Sequence, residues 1–475
     1  MKYFKIYKNE IEGRIDPLFY YFSQDEDFVF QLVPIKEIIE YIKTGFAAGK
    51  SNQAKTKEGI IQIRPTNIDE EGILYFQKNI YLPDKLRNIK NNDLIRKGEI
   101  LFNNTNSQEL VGKAAYFNLN GDFFCSNHIT RIKVNFKKVS PKYLWIILNY
   151  LKRKNLFFRI CTNWNNQSGV NVNLLKEVKI PLPPFETQNR IVELMDNVYN
   201  LKKQKEIEAH QILDSINDYV IDELGIKLPE LKDKMCFAVK SKETKGKRID
   251  PKGYSEIPRG ILEAIKKAKY SQKLLSNLIE KIISGEWGED IEEVKDRENY
   301  VLVKVLRNTN FCNQGNLDFS KVAQRMIDKE KYEKVRLKNG DILIEKSGGS
   351  PIQPVGRVAI IEDVKTDFAF SNFLQVIRIK KQECLPEYLF CFLKTLYSLN
   401  YMEYIQNQTT GIKNLIIEEF LSIPVSLPPM NKQREITREY KTKLEAAEQL
   451  KLEAKNILEE AKLNVERIIL EEEKI

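Results

Sequence analysis

The chain is written twice, and no other feature constrains its fold as much. Ile38-Ile39-Glu40 returns as Leu278-Ile279-Glu280, with Gly45 matched by Gly285. Gly98-Glu99-Ile100-Leu101 returns as Gly340-Asp341-Ile342-Leu343, and Val111-Gly112-Lys113 as Val355-Gly356-Arg357. Ser126-Asn127 becomes Ser371-Asn372, Tyr143-Leu144 becomes Tyr388-Leu389, and Leu182-Pro183-Pro184 becomes Leu427-Pro428-Pro429. Arg14-Ile15-Asp16-Pro17 likewise matches Arg248-Ile249-Asp250-Pro251. The offset drifts only from 234 to 245 residues, so element order is kept and loops absorb the difference. A period this long lies far outside the roughly 20–50-residue units of solenoids. It marks a duplicated domain plus a connector, able to engage two similar surfaces.

Each copy has two textures. From Tyr3 to about Pro181, β-rich runs such as Gly59-Ile60-Ile61-Gln62-Ile63 and Thr130-Arg131-Ile132-Lys133-Val134 alternate with helical stretches. One helical stretch, Pro141 to Leu156, carries Tyr143, Leu144, Ile147, Leu148 and Leu151 on one face. Pro181, Pro183 and Pro184 end the pattern, because proline fixes φ and drives its predecessor out of the α region. Glu186 to Leu224 then lacks proline and glycine. It bears an apolar stripe of Ile191, Leu194, Met195, Val198, Leu201, Ile212, Ile216, Tyr219 and Val220, the mark of a long amphipathic or coiled-coil helix. Gly225 ends it, and Lys232 to Lys247 is a basic linker.

The second mixed domain runs from Arg248 to Pro424, and Pro428-Pro429 launches a second long helix, roughly Asn431 to Glu472. Its stripe is Ile436, Tyr440, Leu444, Ala447, Leu450, Ala454, Ile457, Leu458, Ala461, Val465 and Ile468. Neither stripe is stable in water alone, so the two helices are expected to pack on each other. Chain direction makes the pair antiparallel, with a mixed domain at each end, pseudo-two-fold symmetry and termini meeting near the first domain. The fold class is α+β.

A formal net charge of +10 on 475 residues is compatible with a polyanionic partner without demanding one. Six cysteines without a C-x-x-C pair, and only two histidines, exclude a zinc framework or a disulfide scaffold. Met1 to Asn9 has no signal-like apolar stretch and no run approaches 18 apolar residues, so a reduced, cytoplasmic protein is expected.

Catalytic motifs are hard to find. Gly45-Phe46-Ala47-Ala48-Gly49-Lys50-Ser51 superficially suggests a phosphate loop, but it has three residues between glycines where four are needed. It also follows a stretch, Ile38 to Lys43, that reads as helical rather than as a strand. The Pro-Pro pairs follow leucine, which cannot hydrogen-bond an exocyclic amine as the Asn/Asp-Pro-Pro motif of base methylation does. Glu293-Val294-Lys295 and Asp363-Val364-Lys365 are ordinary strings for a chain that is 30% charged. His128 is replaced by Phe373 in the other copy, so it reads as a packed or loop residue.

Two polar loops are stronger candidates. Asn103 to Gln108 corresponds to Glu345 through Gln353, and Asn163 to Gly169 corresponds to Gln406 to Gly411. Asparagine and glutamine can pair bidentately with adenine, and lysine or arginine with guanine. The frame repeats while these loops differ, which suits one scaffold reading two different sequences. The candidate DNA-contacting residues are Asn103, Asn104, Asn106, Gln108, Lys113, Asn165, Asn166 and Gln167 in the first copy. In the second they are Lys346, Ser347, Ser350, Gln353, Arg357, Asn407 and Gln408.

With the Ile180-Pro181-Leu182-Pro183-Pro184 and Ile423-to-Pro429 segments, followed by Gln188 and Gln433, the chain resembles the specificity subunit of type I restriction-modification systems. The resemblance implies target recognition domains at 1–183 and 248–428, spacer helices at 184–225 and 429–475, and a linker at 226–247. It implies a non-catalytic subunit that reads a bipartite DNA site and docks two modification (adenine methyltransferase) subunits, which restriction subunits join. Cofactors are then none in this chain; S-adenosylmethionine, ATP and Mg belong to the partners. The helix pair would act as a ruler setting the spacer between half-sites. Thr187 and Lys432 stand where the family commonly has glutamate, which bears on the helix start rather than on the assignment. A type IIB-like specificity subunit and a coiled-coil scaffold that binds only proteins are the competing readings.

Overall fold

The computed structural model describes residues 28–50, 53–54, 56–165, 167–230, 236–244, 251–295, 297–312, 314–350, 353–363, 367–409 and 411–470. The first Arg-Ile-Asp-Pro, all of its repeat but Pro251, and residues 232–235 and 245–247 of the basic linker therefore lie outside the described residues. The chain forms two compact units, 1–204 with 453–475, and 205–452.

In the first unit an antiparallel sheet runs in the order Ile39–Thr44, Ile129–Val134, Ile100–Asn103, Ala114–Tyr116. Side chains alternate across a strand. Ile100 and Phe102 accordingly enter the core under the helix Pro141–Arg153, while Leu101 enters a separate core on the other face. That face adjoins a second sheet, Ile80–Leu82, Ile60–Ile63, Phe123–Cys125, whose last pairing is parallel. The helix buries Tyr143, Leu144, Ile147, Leu148 and Leu151, the stripe its spacing predicts.

The second unit repeats the plan. Ile279–Ser284, Leu374–Ile379, Ile342–Glu345 and Val358–Ile360 form the four-stranded sheet. Ala323–Asp328, Tyr300–Leu306 and Phe368–Phe370 form the second, again with one parallel pairing, and Pro386–Ser398 is the matching helix.

One expectation is overturned. Ile38 to Lys43 reads as helical, yet Ile39–Thr44 is a strand paired with Ile129–Val134. Its isoleucines satisfy both periodicities over so short a run, and pairing with a neighbouring strand decides the outcome. The glycine that follows is still no phosphate loop. The Gly45 and Phe46 amides donate to the carbonyls of Ile129 and Cys125. A Cβ at Gly45 would lie 2.2 Å from the Cys125 carbonyl oxygen, and one at Gly285 would lie 2.1 Å from that of Ser371. These glycines are there for close backbone approach.

The long helices span Phe185–Leu224 and Met430–Leu470, and each is divided between the two units. In the first unit Ile191 and Met195 share a core with Leu458, Ala461, Val465, Ile468 and Ile469. In the second, Ile216, Val220, Ile221 and Leu224 share one with Ile436 and Tyr440, and Lys432 reaches Glu223 at 2.5 Å. The start of one helix thus packs with the end of the other inside each unit, the antiparallel sense expected. The Val29 amide donates to the Ile469 carbonyl at 3.2 Å, so both ends of the described chain meet in the first unit. Among the described residues no helix is long and apolar enough to cross a membrane.

The repeated Pro-Pro-Gln segments are joints. Buried Gln188 accepts from the Ser140 amide and donates to the Pro183 carbonyl at 2.8 and 2.9 Å. Gln433 does the same with the Leu385 amide and the Pro428 carbonyl, both at 2.9 Å. The Tyr143 hydroxyl donates to the Pro181 carbonyl and the Tyr388 hydroxyl to the Ser426 carbonyl. Each joint pins the start of a long helix to its own domain helix and satisfies buried polar groups there.

Candidate nucleic-acid interface

The two polar segments read as loops in the sequence come together in each unit as one small sheet. In the first unit Thr105–Asn106 pairs with Gln167–Gly169, which pairs with Thr162–Trp164. In the second, Ser347–Gly348 pairs with Ile412–Leu415, which pairs with Gln406–Thr409. The segments are therefore β-hairpins on a strand extension rather than flexible loops, a correction to the sequence reading. Asn and Gly, which recur in these segments, have low strand propensity, so cross-strand pairing makes these strands. The turns need left-handed backbone, supplied by Asn165 (φ 40°) and Gly411 (φ +89°).

The frame decides which candidate side chains face outward. Asn165, Gln167, Asn407 and Gln408 are exposed, as is Trp164, which sequence reasoning passed over. Trp164 lies against its own hairpin: a Cβ at Gly169 would sit 2.4 Å from its ring. Asn166 lies outside the described residues. Asn106, Gln108, Ser350 and Gln353 are half-buried and partly engaged. Asn106 accepts from the Ser107 amide, Gln108 donates to the Phe158 carbonyl, Ser350 accepts from the Gln353 amide, and the Gln353 carbonyl accepts from Lys413. Lys346 is half-buried beside the hairpin, its carbonyl accepting from the Leu415 amide.

The remaining candidates are internal. Asn103 is fully buried and donates to the Leu110 carbonyl. Asn104 is buried and donates to the Asn127 carbonyl and the Thr130 hydroxyl. Ser347 donates to Asn414 at 2.7 Å. Lys113 is buried, with its ammonium 2.6 Å from the Ile68 carbonyl. Its counterpart Arg357 reaches the equivalent Phe311 carbonyl, the Asn308 carbonyl and the Glu345 carboxylate. Both cations tie the turn at Gly112 (φ +93°) or Gly356 (φ +95°) to a neighbouring loop. In water such side chains suit a DNA groove, but here buried carbonyls and a carboxylate claim their donors first.

A further repeat sets Arg64-Pro65-Thr66-Asn67 against Arg307-Asn308-Thr309-Asn310, outside the candidates that the polar segments supply. Asn67 Oδ1 accepts from the Arg64 amide at 3.0 Å, and Asn310 Oδ1 from the Arg307 amide at 2.9 Å. The Ser126 amide donates to the Ile63 carbonyl and the Ser371 amide to the Leu306 carbonyl, so each arginine stands beside its serine across the parallel strand pair. Exposed Asn127 and Asn372 come next. Asn127 leads to the hairpin through Asn104, whose carbonyl accepts from the Val170 amide.

Comparison with known proteins places this architecture. A protein of Methanocaldococcus jannaschii bearing the name "Putative type I restriction enzyme MjaX specificity subunit" is 33% identical over 172 residues, 35% of this chain and 39% of that protein. The chain thus matches well under half the length of that relative. The crystal structure of the type I restriction-modification S subunit from M. genitalium has 13% identity and a TM-score of 0.46, covering 94% of this chain and 98% of that one. That of the HsdS subunit from Thermoanaerobacter tengcongensis has 15% identity and a TM-score of 0.38, covering 93% and 97%. Likeness at these scores adds nothing to the fold described above. The type I restriction modification DNA specificity domain matches residues 29–211 and again residues 290–460. With that domain matched twice over most of its length, the chain belongs to the family of type I restriction-modification DNA specificity proteins.

Proposed function

We propose that this chain is the non-catalytic specificity subunit of a DNA-modifying complex, each unit reading one half of a bipartite duplex site. The observation that carries the reading is the pairing of a repeated frame with unlike hairpins. Asn165 and Gln167 stand in one unit, and Asn407 and Gln408 in the other, as exposed amides of the kind that pair with base edges. Lys346 adds a cation beside the second hairpin. A specificity domain matched twice supports two readers on one chain.

Methylation of adenine then belongs to two modification subunits docked on this chain, with restriction subunits joining them. S-adenosylmethionine, ATP and magnesium would be held by those partners. The long helices are shared by both units, and we assign them the setting of the spacer between half-sites. Deleting four residues from both should shorten the preferred spacer and leave each half-site unchanged; an unaltered spacer would remove that role.

The experiment for the whole proposal is adenine-methylation mapping of the source genome with and without this chain. A two-part motif that disappears on deletion supports it, and an unchanged methylation pattern refutes it. A scaffold that binds only proteins would also show no salt-dependent affinity for DNA.

A further inference from the structure

In each copy, two buried polar atoms lack a hydrogen-bond partner at the same place: Arg64 Nε with Ser126 Oγ, and Arg307 Nε with Ser371 Oγ. Ser126 is 3% exposed and Ser371 is 2% exposed, so water does not readily satisfy them. A buried donor left without a partner is destabilising, and nearly all buried donors in folded proteins are paired. One such lapse could be incidental packing. The same pair appearing in both copies, whose sequences have otherwise diverged, is a retained feature.

The surroundings point to an anion. Arg131, Arg325, Arg357 and Arg378 each meet a carboxylate, of Glu99, Asp290, Glu345 and Asp341 respectively. Among the described residues Arg64 and Arg307 meet none. Among the described residues the Arg64 guanidinium donates only to the Gln62 side chain, at 3.3 Å, and the Arg307 guanidinium lies 5.6 Å from the Trp287 ring centroid. Both arginines are half-buried, so one side of the fork stays accessible. A guanidinium with an adjacent hydroxyl matches the oxygens of a phosphodiester.

Resting on the proposed DNA-reading function, we infer that Arg64 with Ser126, and Arg307 with Ser371, are two equivalent clamps for the phosphate backbone, one in each half-site. The division of labour follows from the repeat. The arginine-serine pair preserved between copies faces what is the same in both halves, the backbone, and the unlike hairpins face what differs, the bases.

The test is DNA binding by the full chain, assembled with its modification subunits, across a salt series. Arg64→Ala and Arg307→Ala should each flatten the slope of log affinity against log salt by about 0.9 and weaken binding to all sequences about tenfold to hundredfold. The selected site should stay the same. Arg64→Lys, which keeps the charge and guards against a folding defect, should retain the slope. Ser126→Ala should weaken binding without changing it. An unchanged slope in both alanine variants, or a base preference altered at particular positions, overturns the clamp. If the unaltered complex itself shows no salt-dependent DNA binding, the failure lies with the proposed function instead.

Discussion

Where the first unit packs Trp145 between Tyr116 and Tyr199, with ring centroids 6.5 and 5.4 Å away, the second unit has Phe390, Ile360 and Leu444. The Trp145 indole also donates to the carbonyls of Gly72 and Ala114. The smaller set lines a cavity of about 490 Å³, together with Leu317, Phe319, Phe368, Glu362, Glu387 and Glu445, against about 140 Å³ for the cavity beside Trp145 and Tyr199. The charged supports differ in the same way. Glu99 and Arg131 are both sealed inside, and Tyr41 also donates to that carboxylate, whereas the matching Asp341 holds an Arg378 whose side chain is 19% exposed. Duplication preserved the sheet order, the helix joints and the backbone approach at glycine. It released the packing between them, so the two copies share a frame but not a core.

The largest effects should come from breaking the sealed pair. Arg131→Met leaves the Glu99 charge buried and uncompensated, and should cost about 3–5 kcal/mol of stability. Arg378→Met should cost less, because water reaches that guanidinium and the Lys338 amide still donates to Asp341 at 2.9 Å. Equal losses in denaturant melts would contradict the distinction. Next is packing: Trp145→Ala should cost about 3–5 kcal/mol, while Leu444→Tyr, importing the residue of the first copy, should gain about 0.5–2 kcal/mol. A loss from Leu444→Tyr would show that the second unit cannot seat the ring of the first, and that the smaller residues there are matched to their own surroundings.

A smaller effect is electrostatic. Lys394 stands where the first copy has Asn149, and burial pulls its ammonium down from the usual lysine range to about 8. A depressed lysine pKa means that the unfolded chain binds more protons between that value and the ordinary lysine range. Stability of the second unit should therefore rise as pH rises through about 8. Lys394→Met should abolish that rise, as followed by thermal melts from mildly acidic to mildly alkaline pH; persistence of the rise would assign it to another group.

Much of this was legible in the sequence. The repeat announced two like units, the proline segments marked where the long helices begin, and the stripe of Tyr143, Leu144 and Ile147 lay where the core is. Strand Ile39–Thr44 was not legible, because its pairing partner lies some 90 residues away. The site was legible only as a neighbourhood. Asn103, Asn104, Lys113 and Arg357 carry side chains suited to bases and phosphates, yet the fold uses them internally. Exposure, which separates Asn165 and Gln167 from Asn103 and Asn104, is a property of the packed frame. The Arg64 and Arg307 repeat was visible as letters, but the unsatisfied atoms that give it meaning exist only after folding.

On the proposed function, each hairpin reads its own half of one site. Its most direct test is methylation-site selection by the assembled complex carrying Asn165→Ala with Gln167→Ala. Loss of an amide–base pair removes about 1–3 kcal/mol of discrimination. The expected result is a relaxed consensus in one half-site, with the other half-site and the spacer intact. Relaxation in both halves, or in neither, would contradict it.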